Sequence, residues 1–257
     1  SHIPSDIPIH NQVIPSEKLK SQEWLNKINI WTKNQKMLLN EAKTKTMIFN
    51  YTNNHQFSTR LSVNENNIQV VENTKLLGTI ISDDLKWDLN TDQIIKKAYA
   101  RMQLLHEMSN FGAPLSDMKD VYVLFIRSLL EQSSTVWHSS LTQENIEDLE
   151  RVQKSAFKIM IKQRYKHYND GLNILEMDTL SKRREQLCLQ FAQKCTKHPK
   201  LEHMFPLNNK NHEMQTRETE KYHVQFANTA RLQNSSIIYM QRLLNENEDT
   251  FNSLENL

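Results

Sequence analysis

The chain has 257 residues, which suits one large domain or two small ones. Its formal net charge is only +2, so the overall charge by itself predicts no nucleic-acid partner. The charges are unevenly distributed: residues 91–200 carry 17 Lys and Arg against 13 Asp and Glu, whereas residues 201–257 carry 5 against 8. A partner that bears phosphate is therefore expected to meet the middle of the chain.

Glycine is scarce in this sequence, with only Gly78, Gly112 and Gly171. A parallel α/β fold with phosphate-binding loops needs more glycine for its tight turns, so the composition argues against that class. We expect long helices joined by polar loops. The predicted fold class is mainly α, with a small antiparallel β-sheet near the N-terminus.

The two cysteines, Cys188 and Cys195, are too few for a disulfide framework, so a reducing compartment is expected. Together with His198 and His203 they could be zinc ligands, but the spacing of the four residues matches no zinc-finger or zinc-knuckle motif. Two cysteines two turns apart on one helix are expected to pack inward. We therefore predict no metal site.

No apolar run approaches the ~20 residues that a membrane helix needs, and the chain does not open on a signal-peptide pattern. These observations predict a soluble, intracellular protein, cytoplasmic or nuclear, with no membrane partner.

The first third of the chain is predicted to combine one helix with short strands. A helix is expected from residue 16 to about 38, with Trp24, Ile28 and Trp31 on one face. Three or four strands follow, forming a small antiparallel sheet, where apolar or alternating runs lie between turn residues. The runs are residues 45–51, 57–63, 68–71 and 75–81. Asp83 and Asp84 are predicted to form the turn that ends the sheet.

From about residue 91 the chain is predicted to be helical. Thr91 is expected to cap a helix that ends at Gly112 and Pro114, a pairing typical of helix ends. The next helix, about 117–133, is apolar nearly all round, which predicts a buried, central position. Thr142 is expected to cap the one after it.

Two more helices are predicted, at about 179–197 and 236–244, with a polar loop at residues 206–222 between them. In the first of them, Leu180, Leu187, Phe191 and Cys195 are expected to face inward. The predicted division of the chain has four parts: an irregular lead-in (1–15), a mixed α/β part (16–90), a helical domain (91–205), and a polar loop with a short last helix (206–257).

Three segments, in order along the chain, carry a family resemblance. The first runs from Trp31 to Phe49 and reads W-T-K-N-Q-K-M-L-L-N-E-A-K-T-K-T-M-I-F. Within it the pattern L-N-x-x-K-T-x-x-M-x-F is matched at five positions beyond its first leucine. Those positions are Asn40, Lys43, Thr44, Met47 and Phe49.

The second segment is K-L-L-G-T-I-I at residues 75–81, and the third combines L-L-E-Q and V-W at residues 129–137 with L-E-R-V-Q-K-S-A at residues 149–156. Together the three resemble the end of the reverse transcriptase of non-LTR (LINE-type, jockey-like) retrotransposons. The first is similar to the helix–turn–strand after the catalytic centre, the second to the primer grip, and the third to the thumb.

The resemblance implies that residues 16–90 are the last part of the palm and that a helical thumb and C-terminal region follow. The implied parent activity is RNA-directed DNA polymerisation, with an RNA template, a DNA primer and Mg²⁺. An upstream polymerase segment is expected in the same parent chain.

The aspartates that such a polymerase needs are missing from this sequence. Two Mg²⁺ ions activate the primer hydroxyl and hold the leaving phosphate, and these hard cations need carboxylates. Before Trp31 the only acidic residues are Asp6, Glu17 and Glu23, with no aromatic-x-D-D turn. Asp83 and Asp84 come after the primer-grip-like strand and are predicted to form a solvated turn. We therefore expect the chain alone to be inactive, with no cofactor of its own.

By resemblance, three residues within the first two segments are candidates for contacts with pyrophosphate or the primer. Lys43 is implied to assist the departing pyrophosphate in the full enzyme; the alternative is a surface lysine. Gly78 is predicted to lie inside a strand, where glycine is unfavourable unless another backbone comes close. The resemblance implies that this neighbour is the primer, with Lys75 beside it; the alternative is a β-bulge.

Two basic groups in the helical part are candidates for phosphate contact, which needs only cations. Lys96, Lys97 and Arg101 form the first. The second consists of six residues on and after one helix: Arg151, Lys154, Lys158, Lys162, Arg164 and Lys166. For both, the alternative is a solvated helix face. For the whole chain, the alternative to a polymerase fragment is a non-catalytic nucleic-acid-binding module or a relic without activity.

Overall fold

The computed structural model describes residues 15–49, 61–208 and 221–247, and these are mainly helical with small two-stranded sheets. The predicted fold class, mainly α with a small β component, is confirmed. The chain divides into two compact units, Ser1–Lys86 and Trp87–Leu257. Within the described ranges, no helix is both long enough and apolar enough to cross a bilayer.

The first unit contains helix α1 (Pro15–Asn34) and a set of short strands. The strands are β1 (Lys45–Thr46), β2 (Ser62–Val63), β3 (Asn66–Asn67), β4 (Gln69–Val70), β5 (Asn73–Leu76) and β6 (Thr79–Ser82). β2 pairs with β3 and β5 with β6, both antiparallel, whereas β1 pairs with β4 in parallel. The single antiparallel sheet that we predicted is thus three separate pairs. Of the predicted strand at 57–63, residues 57–60 lie outside the described residues.

The run at residues 75–81 was predicted as one strand, but it bends into a hairpin. Leu76 pairs with Thr79 across a two-residue turn at Leu77 and Gly78. Both turn residues have positive φ, 49° and 95°, as a type I′ turn requires because its twist matches that of the strands. Gly78 therefore lies in a turn, and neither the strand interior nor the β-bulge applies.

Helix α1 packs on its own unit through polar side chains. The Gln22 side-chain amide exchanges two hydrogen bonds with the backbone of Ser62, at 2.8 and 3.0 Å. Asn29 and Lys33 each donate to the Asn64 side chain at 3.0 Å. These helical residues share one face, since they are seven and four positions apart. Hydrogen bonds of polar side chains therefore join α1 to the β2–β3 hairpin.

Trp24, Ile28 and Trp31 share a face of α1, as predicted, but that face is exposed. At about 100° per residue it lies roughly opposite the face that holds the hairpin. The buried apolar side chains among the described residues up to Lys86 are Val63 and Ile68.

The second unit begins with α2 (Asp88–Asn110), which starts before the predicted cap. Thr91 lies inside this helix, where its hydroxyl donates to the Trp87 carbonyl at 2.9 Å, so Thr91 is not the cap. The helix ends as predicted, with Gly112 at φ 71°.

The predicted central helix is three consecutive pieces that are only partly buried. They are α3 (Leu115–Val121), a π-helical segment (Tyr122–Arg127) and α4 (Ser128–Glu131). Tyr122, Ile126 and Leu130 are fully buried, whereas Leu124 and Phe125 are exposed. The prediction that this helix is buried all round was therefore wrong.

The remaining elements complete a helical core. They are α5 (Ser134–Trp137), α6 (Gln143–Ile161), α7 (Tyr168–Leu175), α8 (Leu180–Thr196), α9 (Ala230–Gln233) and α10 (Ser236–Glu246), with short 3₁₀ turns at His138–Ser140, Lys162–Arg164 and Glu202–Met204. Thr142 caps α6 as predicted, its side chain accepting from the Asn145 amide. Of the predicted loop, residues 209–220 lie outside the described residues, and its ends meet in a bridge between Leu207 and Tyr222.

The buried face of α8 agrees only in part with the one that we predicted, and Leu187 is half-buried. Leu180 and Cys195 are buried as expected, but Phe191 is exposed. Its buried stripe also contains Arg184, Cys188 and Ala192. Met240, Leu243 and Leu244 of α10 belong to the same buried cluster as Cys188, Ala192 and Cys195, so α10 is part of this core.

Candidate nucleic-acid interface

The β5–β6 hairpin carries two of the predicted contact residues. Lys75 is exposed on β5 and pairs with Ile80, and Gly78 forms the second half of the turn. Leu77, at the tip, is 90% exposed. Because Gly78 has no Cβ, another backbone could approach this turn closely.

The turn between α1 and β1 accounts for part of the N-x-x-K-T pattern. The Asn40 carbonyl accepts from the amides of Lys43 and Thr44 and from the Thr44 hydroxyl, at 2.8–3.2 Å. The Asn40 side-chain oxygen also accepts from the Lys43 amide, at 3.0 Å. These three residues therefore build one capped turn. It leaves the Lys43 side chain exposed, and its assistance to pyrophosphate stays a prediction.

The three cations of α2 do not form one patch. Lys96 lies on the solvent side of the helix, opposite the buried Ala98 and Met102 stripe. Lys97 donates to Gln93 at 2.7 Å. Arg101 donates to the Phe125 carbonyl at 2.5 Å, and its guanidinium carbon lies 4.2 Å from the centre of the Phe125 ring. Arg101 therefore already binds the π-helical segment, which leaves fewer of its N–H groups available to bind phosphate.

Most of the second basic group also has partners within the chain. Arg151 pairs with Asp148 at 2.6 Å, and Lys162 donates to the Ser109 carbonyl at 2.8 Å. Lys154 and Lys158 have their ammonium groups 5.1 and 5.7 Å from the ring centres of two tyrosines. Those tyrosines are Tyr168 and Tyr165. A cation over a tyrosine ring keeps its charge at the surface, so this face of α6 remains basic.

Comparisons with known proteins do not show which family the chain belongs to. No family model matches it, and a search of curated proteins and of solved structures found no match. The resemblance to reverse transcriptases therefore rests on the residues quoted above and stays a prediction.

A carboxylate cluster of the kind that the parent enzyme would use for Mg²⁺ is not seen among the described residues. They contain no group of three or more His, Cys, Asp or Glu side chains that could hold a metal. The Asp84 carboxylate accepts from the Lys86 amide at 3.0 Å and lies 3.5 Å from the Lys86 ammonium. Asp83 and Asp84 form the predicted turn.

The two cysteines are free and buried. Burial raises the pKa of the Cys188 thiol to about 12 and also raises the pKa of Cys195. A thiol that stays protonated is a poor nucleophile.

A buried polar cluster in the second unit was not predicted. Arg184 is fully buried, and its Nε donates to the His138 Nδ1 at 3.4 Å. Its two terminal nitrogens have no hydrogen-bond partner among the described residues. Burial and then the Arg184 charge lower the pKa of His138 to about 4. The sequence signal was an arginine four positions from Leu180 and from Cys188, in an otherwise apolar stripe.

A second buried network crosses α6. Tyr122 donates to the side-chain oxygen Oε1 of Gln153 at 2.5 Å, and the Gln153 Nε2 donates to the Tyr168 hydroxyl at 2.8 Å. Tyr168 in turn donates to Glu150 at 2.5 Å, and Glu150 also accepts from the Ser181 amide. Each hydroxyl and carboxylate thus has a partner, which is what a structural network needs.

Proposed function

We propose that this chain is the C-terminal part of a retroelement reverse transcriptase that contacts a template–primer duplex and has no polymerase activity by itself. The hairpin β5–β6 would touch the primer backbone. Cations of α2 and α6 would contact phosphates of the duplex. Backbone contacts of this kind carry no base specificity.

The observation that supports the proposal most is the hairpin itself. Its sequence is the segment that resembles the primer grip, and it has a glycine turn with an exposed tip and Lys75 beside it. Lys96, Lys154 and Lys158 add positive charge on helix surfaces of the second unit. Cations on rigid helices suit contacts that depend on charge and position alone.

Catalysis is not part of the proposal for this chain. The parent enzyme would use Mg²⁺ bound by carboxylates, and the described residues offer no such set. Lys43 could assist pyrophosphate release only where an upstream segment supplies those metals. A primer-extension assay on the purified chain is expected to give no nucleotide incorporation, and incorporation would contradict this part of the proposal.

Duplex binding can be tested by fluorescence anisotropy with an RNA–DNA hybrid over a range of salt concentrations. Each phosphate contact contributes about −0.9 to the slope of log affinity against log salt. We expect Lys75→Gln and Lys96→Gln each to make that slope about 1 less steep. Lys194→Gln, an exposed lysine at the end of α8, is the matched control and should leave it unchanged. A slope near zero for the unmodified chain would exclude phosphate contact.

A further inference from the structure

The exposed face of α1 presents two tryptophans that the described residues of its own unit do not cover. Trp24 is 65% exposed and Trp31 is 57% exposed, with Ile28 between them. The opposite face of the helix is held by Ser62 and Asn64 of the β2–β3 hairpin. Packing of α1 on this hairpin therefore does not explain why the tryptophans are there.

Lysines alternate with these tryptophans along the helix. Lys20, Trp24, Lys27 and Trp31 follow each other at spacings of four, three and four, so all four lie on neighbouring parts of one surface. Lys20 and Lys27 are exposed, and the Lys27 ammonium lies 4.9 Å from the centre of the Trp24 ring.

The charge around α1 suits a polyanion. Residues 20–49 carry six lysines and two glutamates, a net charge of +4, whereas the whole chain carries +2. Glu41 is one of the two acids, and its carboxylate oxygens accept from the side chains of Asn64 and Asn66. Glu23 is the other.

We propose that a single-stranded polynucleotide binds along this face of α1, with bases stacked on Trp24 and Trp31 and phosphates at Lys20 and Lys27. Seven helical residues rise about 10.5 Å, close to the length of three stacked nucleotides at about 3.4 Å each. Exposed aromatic rings with interleaved cations are the elements that bind single strands without sequence preference. This site is separate from the proposed duplex contacts of the hairpin and α2, so either can fail alone.

The narrowness of the apolar face favours this occupant over a membrane or a second copy of the chain. Among the described side chains of α1, three of the four large exposed apolar ones form the face, and Lys20 and Lys27 lie beside the tryptophans. The fourth, Ile30, lies about 100° around the helix from Trp31. A helix that binds lipid or a partner helix usually presents a wider apolar stripe. A polynucleotide uses the ring and the neighbouring ammonium together.

Intrinsic fluorescence of the intact chain tests the proposal directly. The chain has four tryptophans, of which Trp87 and Trp137 are buried and only the two of α1 are exposed. We expect a thymidylate oligomer of about twelve nucleotides to quench the exposed pair and to protect it from acrylamide. Trp24→Ala and Trp31→Ala should each weaken binding about 5- to 150-fold, and Trp24→Phe should restore part of the loss. Phe226→Ala, another exposed aromatic, should have no effect.

Charge variants separate this site from the duplex contacts. Lys20→Gln with Lys27→Gln should make the salt slope for the thymidylate oligomer about 1.4 less steep, at about 0.7 per phosphate of a single strand. Lys194→Gln with Lys200→Gln is the matched control and should not change it. Lys75→Gln with Lys96→Gln should weaken binding of the hybrid duplex only.

Three results would overturn the proposal. The first is oligomer binding that is unaffected by the tryptophan and lysine variants of α1. The second is protection of Trp24 and Trp31 by anionic phosphatidylglycerol vesicles but not by the oligomer. The third is concentration-dependent dimerisation, seen by sedimentation, that the Trp31→Ala variant abolishes while the oligomer leaves fluorescence unchanged.

Discussion

At the scale of single residues, the buried His138 should make stability depend on pH. Its folded-state pKa, about 4, lies below the usual 6.5. Above pH 6.5 the ring is neutral in both states. As the pH falls from 6.5 to 4 only the unfolded chain takes up the proton, so the folded state loses stability, by about 3 kcal/mol in all. Below about pH 4 the loss is complete.

Urea unfolding at pH 7, 5.5 and 4 measures this loss. In His138→Asn the side-chain oxygen can still accept a hydrogen bond from Arg184, but the asparagine does not titrate. Between pH 7 and pH 4 the free energy of unfolding of this variant should therefore fall by about 3 kcal/mol less than that of the unmodified chain. Glu41 and Asp178, whose pKa values are lowered by hydrogen bonds, are present in both proteins and cancel in the difference. Equal pH dependence of the two proteins would show that His138 is not the cause.

We predict that position 171 requires glycine because the neighbouring side chains leave no room for a Cβ. A Cβ added there would lie 2.9 Å from the buried Phe157 ring and 3.3 Å from Tyr165. Overpacking of this kind costs about 1–3 kcal/mol, against about 1 kcal/mol gained in helix propensity. Gly171→Ala should therefore lower the free energy of unfolding, measured by urea denaturation. In a Phe157→Leu background the same substitution should become neutral or stabilising.

Gly112 is the matched comparison, because a Cβ there would meet nothing within 4 Å but its φ is 71°. Gly112→Ala should cost about 1–2 kcal/mol through the backbone alone, and Gly112→Asn less, since asparagine tolerates this conformation. If Gly171→Ala proves harmless in the unmodified chain, the close packing around α7 is not as described.

At the scale of elements, the start of α6 depends on Thr142. Its hydroxyl accepts from the Asn145 amide at 3.2 Å, and the Asn145 side chain donates to Asp88 at the start of α2. Thr142→Ala should lower the free energy of unfolding by about 1 kcal/mol, whereas Thr142→Ser keeps the acceptor and should cost little. Equal losses in the two variants, measured by thermal or urea unfolding, would mean that the cap does not stabilise α6.

Elements with local signals were predictable from the sequence, and those fixed by remote contacts were not. The Thr142 cap predicted the start of α6, and the last helix was predicted close to its observed range. The parallel pairing of Lys45 with Gln69 joins residues that lie 24 positions apart, and nothing in either run specifies it. The hairpin at residues 75–81 was missed because leucine at positive φ is uncommon, so the run resembled one strand.

In the candidate interface too, some features were predictable from the sequence and others were not. The sequence identified exposed cations such as Lys75 and Lys96, because charge alone predicts exposure. It could not identify which cations are already engaged. The Phe125 carbonyl that binds Arg101 and the Ser109 carbonyl that binds Lys162 come from distant positions in the chain. The buried Arg184 was missed because a charged residue is expected at the surface.

At the scale of the whole molecule, the two units differ in how much apolar surface they bury. Among the described residues, the first unit buries Val63 and Ile68, and polar bonds such as Asn29 to Asn64 hold α1 in place. The second unit buries many large side chains completely, among them Trp137, Phe157 and Leu149. Hydrophobic burial dominates stability, and exposed hydrogen bonds contribute little. The first unit should therefore open well before the second.

Native-state hydrogen exchange can resolve this difference. Amides of α1 and of β1–β4 should exchange through openings of low free energy, and those of α2 and α6 only near global unfolding. Equal protection in the two units would mean that the first unit is stabilised by contacts other than these hydrogen bonds. If the thymidylate oligomer binds α1, adding it at about 100 times its Kd should raise α1 protection by about 2.7 kcal/mol. The α6 amides that exchange only by global unfolding should gain about the same protection, because that unfolding also releases the ligand.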